Sequence, residues 1–89
     1  MILILDSCGN IYHNQDPNKS LYGVKPNAVK CIDFEIASNL CRKYIEKYNL
    51  GAGNWGGNVG IILNDKQKQI ARVSYNGRVW DNNNNEIKI

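Results

Sequence analysis

Asn76-Gly77 stands between two short runs that alternate in character, Ala71-Arg-Val-Ser-Tyr75 and Arg78-Val-Trp-Asp81. A two-residue type I′ loop needs positive φ at both central positions, and Asn followed by Gly accepts that at least steric cost. The pair therefore predicts a β-hairpin, and a two-residue loop predicts its register. Tyr75 should face Arg78, Ser74 should face Val79, Val73 should face Trp80 and Arg72 should face Asp81. Side chains directly opposite share a face of the sheet. Ala71, Val73, Tyr75, Arg78 and Trp80 then form the expected core side, with Tyr75 and Arg78 at its rim. Ile70, Arg72, Ser74, Val79 and Asp81 form the other, where Arg72 and Asp81 make an opposite-charge pair.

The rest of the chain gives this hairpin something to pack on. From Phe34 to Tyr48, apolar Ala37, Leu40, Cys41, Tyr44, Ile45 and Tyr48 recur at the spacing of one helix face. Asp33 is the expected N-cap, Glu35 complements the positive end of the dipole, and Gly51 suits the left-handed position that closes a helix. Met1–Leu5 is a continuous apolar run, the pattern of a strand covered on both faces. Ile11-Tyr12-His13 is the expected second strand. Residues 14–30 contain both prolines and few apolar anchors, so they read as one long irregular connection, docked through Leu21 and Val24. Val59–Leu63 is the next strand, and Ile87 and Ile89 allow a short last one. The result is a single α+β domain over residues 1–89: a two-layer fold with one helix (34–48) on an antiparallel or mixed sheet of five to six short strands, in the order ββαββββ.

Composition narrows the class. A chain of 89 residues buries roughly 60–65% of its unfolded surface, enough for one core without metal or disulfide staples. Apolar content of 43% with 21% charge excludes a disordered chain, and no run approaches the length of a membrane helix. The N-terminal run has no basic start and meets Asp6 at once, unlike a signal peptide. The expected location is cytoplasmic, with no membrane association. There the odd number of cysteines, Cys8, Cys31 and Cys41, reads as reduced thiols.

Gly51-Ala-Gly53-Asn-Trp-Gly56 matches G-x-G-x-x-G. It follows a helix and precedes a strand, the reverse of the dinucleotide-binding order, so a phosphate would meet the negative end of the helix dipole. No nucleotide or other cofactor is expected. Half of the residues from Gly51 to Gly60 are nonetheless glycine, a costly choice that suits a close backbone approach. Trp55 within it reads first as a lid on the core and second as a contact residue. Cys8, His13, Cys31 and Cys41 lack the tight pairs of a zinc site, so no metal site is assigned. Cys8 near His13 has no orienting third group, so no catalytic residue is assigned and enzyme activity stays open.

What is left is a set of side chains suited to contact. Asn54, Trp55, Tyr75, Asn76 and Arg78 combine aromatic and arginine anchors with adaptable amides. They point to a small non-catalytic protein-binding module acting on a larger protein partner, as an inhibitor or adaptor of the kind bacteria and phages use. The alternative is a nucleic-acid-binding domain, with Lys66, Lys68, Arg72 and Arg78 on phosphates and the aromatics stacking on bases. A net charge of +3 permits this without demanding it. The chain is expected to be a monomer or a homodimer, because a short final strand leaves an open edge.

Overall fold

The computed structural model describes residues 1–56 and 59–89; Gly57 and Asn58, part of the glycine-rich stretch, lie outside the described residues. The elements are β1 (Ile2–Leu5), β2 (Asn27–Lys30), α1 (Phe34–Tyr48), β3 (Ile61–Leu63), β4 (Gln69–Val73), β5 (Val79–Asp81) and β6 (Glu86–Ile87). Single 3-10 turns occur at Ile11–His13 and Ala52–Asn54. The strands form one six-stranded sheet ordered β2-β1-β3-β4-β5-β6, every neighbouring pair antiparallel. The helix packs across β1 and β4 on one face. This is the α+β architecture and the ββαββββ order that the apolar patterns predict.

Helix α1 begins as the capping pattern requires, with Asp33 Oδ1 accepting from the Ile36 amide at 2.8 Å. It buries Ala37, Cys41, Tyr44 and Ile45, flanked by Leu40 and Tyr48. Its other end differs from expectation. Asn49, not Gly51, takes the left-handed conformation (φ 52°), and the Leu50 amide reaches back to the Ile45 carbonyl. Asparagine tolerates this region, so the glycine is free for the next turn.

The second strand also lies elsewhere. Ile11–His13 is an exposed 3-10 turn, held by Asn10 Oδ1 on the Tyr12 amide at 3.0 Å and ended by left-handed Asn14. β2 comes instead from the end of the expected irregular connection, where Leu3 pairs with Val29 and Ile4 with Ala28. The segment before it is ordered by local bonds. The Gly9 amide donates to the Asp16 and Lys19 carbonyls, the Leu21 amide to Ser7 Oγ, and Ser20 Oγ to Asp6 at 2.6 Å. Leu21 and Val24 pack on the core as expected, while Tyr22 is fully exposed.

The hairpin forms with a different register. Val73 pairs with Val79, Arg72 with Trp80 and Ala71 with Asp81. The Gly77 amide donates to the Ser74 carbonyl at 2.9 Å, the Ser74 amide donates to the Arg78 carbonyl at 2.8 Å, and Gly77 has φ +88°. This is a three-residue loop, a type I turn followed by a left-handed glycine. Only the glycine carries positive φ; Asn76 instead uses Oδ1 to accept from the Arg78 amide and Ser74 Oγ. One extra loop residue turns each side chain of β5 to the opposite face. Val79, expected outside, is fully buried, and Trp80, expected in the core, lies on the other face beside Arg72. Asp81 is therefore not opposite Arg72, and its carboxylate caps the asparagine loop through the Asn83 and Asn85 amides.

Burying a valine completely contributes about 1.5–3 kcal/mol, and a charge in its place has no partner in the core. Val79→Asp is expected to cost more than about 3 kcal/mol, while Trp80→Arg should cost about 1 kcal/mol. Urea unfolding measures both, and the reverse order would restore the two-residue register.

Candidate functional site

The glycine-rich loop and the hairpin turn meet at one end of the sheet. The Tyr75 hydroxyl donates to the Leu50 carbonyl at 3.0 Å, and Trp55 Nε1 donates to the Val73 carbonyl at 2.9 Å. The side chains expected to face a partner are thus brought together, but most are already engaged. Trp55 is 7% exposed and is part of the core, tilted against Tyr44. Asn54 ties two loops together, donating to the Cys8 carbonyl at 3.0 Å and accepting from the Gly51 amide. Only Asn76 and Arg78 are exposed, with Tyr75 half-buried. Close approach also explains a glycine: a Cβ at Gly60 (φ +72°) would stand 2.7 Å from both the Trp55 ring and the Val73 carbonyl oxygen.

The helix holds this turn from beneath. Ser38 Oγ donates to the Gly77 carbonyl at 2.6 Å, and the Arg42 guanidinium donates to the Tyr75 carbonyl while lying 5.3 Å from the Tyr75 ring centre. Beside the turn runs a groove of about 290 Å³, lined by Trp55, Val59, Val73 and Tyr75, with Arg72 and Ser74 along it. Ser38 and Arg42 were not singled out by the sequence. Their only mark was a small polar residue on an apolar helix face and an arginine one turn further on.

The four cations proposed for nucleic acid do not form one patch. Lys66 and Lys68 sit in the turn before β4, and Arg78 in the turn after it, at opposite ends of that strand. Arg72 lies on the sheet between them, its guanidinium 5.7 Å from the Trp80 ring centre and bonded to Asn84 Oδ1. Among the described residues the ion pair found is Lys88 with Glu86, at 3.7 Å.

The remaining chemistry is distributed. Cys31 and Cys41 are buried, His13 is on the exposed 3-10 turn, and the half-buried Cys8 thiol lies 3.7 Å from the Gly53 carbonyl. Among the described residues no group of His, Cys, Asp and Glu is gathered closely enough to hold a metal ion, and no helix is long and apolar enough to cross a membrane. Burial pushes the Cys41 thiol from 9.0 up to about 12, with Cys31 adding to the rise. Burial, then the charges of Asp6 and Tyr48, push the Tyr44 phenol from 10.0 up to about 12, and its hydroxyl donates to the Lys25 carbonyl at 2.8 Å. Neither group is poised to lose a proton near neutral pH. A larger groove of about 610 Å³ opens at the other end of the sheet, between Met1, Ile2, Ile32 and Ile36, with Lys30 and Asp65 on its rim.

Two measurements test this geometry. Arg42→Ala removes a charge-assisted hydrogen bond and the ring contact, and is expected to cost about 1–3 kcal/mol in urea unfolding. Arg78→Ala, three residues past the carbonyl that Arg42 holds, should stay within about 0.5 kcal/mol. For pH, the folded chain keeps its Cys41 and Tyr44 protons where the unfolded chain has lost them. The stabilisation is therefore complete below about pH 9 and is lost as pH rises towards 12. Cys41→Ala should flatten the decline that begins at pH 9, followed by urea midpoints; an unchanged slope would contradict the burial of that thiol.

No family model matches the chain, and neither a curated protein nor a solved structure matches it.

Proposed function

We propose that the chain is a small non-catalytic protein-binding module, acting as an inhibitor or adaptor by occupying the surface of a larger partner in the cytoplasm. The observation that carries this is the support of the turn at Ser74–Arg78. Its carbonyls are bonded to Ser38 and Arg42, its tyrosine to Leu50, and Asn76 spans the loop from within. A loop already held in one conformation loses little entropy when it binds. It presents Asn76 and Arg78 to solvent beside a groove with an apolar floor. An arginine anchor, an adaptable amide and a pocket for one apolar side chain make the centre of a protein contact. Trp55 supports that centre from below through the Val73 carbonyl, Tyr75 forms its wall, and Asn54 stays in the neighbouring loop on Cys8 and Gly51.

Nucleic-acid binding is the weaker reading, because Lys66 and Lys68 are separated from Arg78 by the length of β4. Fluorescence titrations with single-stranded and duplex oligonucleotides at low and high salt separate the two. The protein-binding reading expects no oligonucleotide complex at low salt. Once a partner is captured, it expects Arg78→Ala to weaken that complex at least about tenfold, or 1.4 kcal/mol. Oligonucleotide binding that falls steeply with salt would favour the alternative. Partner affinity unchanged in an Asn76→Ala, Arg78→Ala double variant would remove this surface from the interface.

A further inference from the structure

Only one face of the sheet is covered by the helix. On the other, Ile2, Ile4, Ile61, Leu63 and Trp80 are partly exposed, and none is among the side chains packed against the core. Register sets a row across this face. Ala28 is opposite Ile4, Ile61 opposite Arg72, Arg72 opposite Trp80 and Trp80 opposite Glu86. The β1–β3 ladder ends at Leu3–Ile62, and the Gly60 amide, bonded to the Ile4 carbonyl at 2.8 Å, brings Ile4 beside Ile61. The row is aliphatic towards β2 and aromatic towards β6. Its margins carry Lys30 on β2 and Glu86 on β6, where Glu86 also lies 3.7 Å from the exposed Lys88 ammonium.

We propose that a second copy of this chain covers the open face, related by a two-fold axis that lies between the two sheets and parallel to their strands. This rotation reverses strand order and places β6 over β2, β5 over β1 and β4 over β3. Trp80 of the second copy then lies on Ile4, and its Arg72 stem on Ile61. Its Glu86 stands over Ala28, whose neighbour on the same face of β2 is Lys30. Symmetry repeats each contact, so the charged margins meet twice. A two-fold axis perpendicular to the strands and through this row would set Glu86 against Glu86 at one margin and leave Lys30 away from it, which like-charge repulsion disfavours. Sheets packed face to face lie about 10 Å apart and within about 30° of alignment, which keeps this correspondence. A sheet about 24 Å wide with short strands would bury on the order of 1,000 Å² in total, the lower limit for a specific contact, so the dimer is concentration-dependent.

The rotation leaves both turns at Ser74–Arg78 at the same end of the pair. If those turns bind a partner, as proposed above, the dimer presents two binding tips side by side; only this consequence rests on that reading. Dimerisation itself is measured without any partner. Sedimentation velocity from a few micromolar to about a millimolar should move the chain from 10.1 kDa to twice that mass. Ile4→Glu should keep it monomeric throughout. Lys30→Glu and Glu86→Lys should each weaken association about three- to tenfold at low salt, and the double exchange should return it to within about twofold of the parent. The charge exchanges lie at the margin of the face, so they remain informative even if Ile4→Glu does not fold. A chain that is monomeric at the highest concentration overturns the proposal and leaves the face to a different protein. So does a dimer that Ile4→Glu leaves intact, or a double exchange no tighter than the single ones.

Discussion

The left-handed backbone of Gly77 is the constraint on which the sheet depends. It makes the β4–β5 loop three residues long and thereby decides which of two adjacent side chains closes the core. Valine enters and tryptophan leaves. With the opposite choice an indole would have to fit where Val79 now packs, under a helix that already supplies Cys41, Tyr44 and Ile45. Overfilling a close-packed interior costs about 1–3 kcal/mol, so helix and turn specify the same register. Ser38 completes the agreement, because its hydroxyl bonds the carbonyl of that same glycine.

The same choice divides the molecule into two kinds of surface. At the turn, side chains are spent on backbone: tyrosine, tryptophan, arginine, serine and asparagine all satisfy carbonyls or amides of neighbouring segments. On the open sheet face, aliphatic side chains have water on one side, and the one aromatic among them is partly roofed by Arg72. An interaction role argued from residue types alone would favour the first surface. Argued from unspent apolar area, it favours the second. A larger protein is therefore proposed for the turn, and a second copy of the chain for the open sheet face.

Periodicity and capping made the helix, the layer arrangement and the element order legible in the sequence, because each depends on neighbours in the chain. Ala37, Cys41, Tyr44 and Ile45 fall at helical spacing, and Asp33 could serve nothing better than a cap. The hairpin's existence was equally plain, but its register was not. Asn-Gly accepts two loop geometries, and the deciding bonds come from Ser38 and Arg42, more than thirty residues away. Strand β2 was hidden because Asn27–Lys30 contains a single large apolar residue and owes its state to pairing with β1. Ile2 and Ile4 read as buried on both sides, since nothing in an apolar run says which face will be left uncovered. For the candidate site, composition found the right end of the molecule. It could not separate exposed Arg78 from Trp55, whose indole is sealed inside.

The two tryptophans therefore occupy contrasting places in one small molecule. Trp55 is enclosed with its ring nitrogen on a backbone carbonyl, and Trp80 lies at the boundary with solvent, beneath a guanidinium and bonded to Ser74 Oγ at 3.1 Å. Indole emission depends on the polarity and mobility of its surroundings. The chain thus carries two native optical probes: one reports whether the interior is intact, the other whether anything has come to rest on the open sheet.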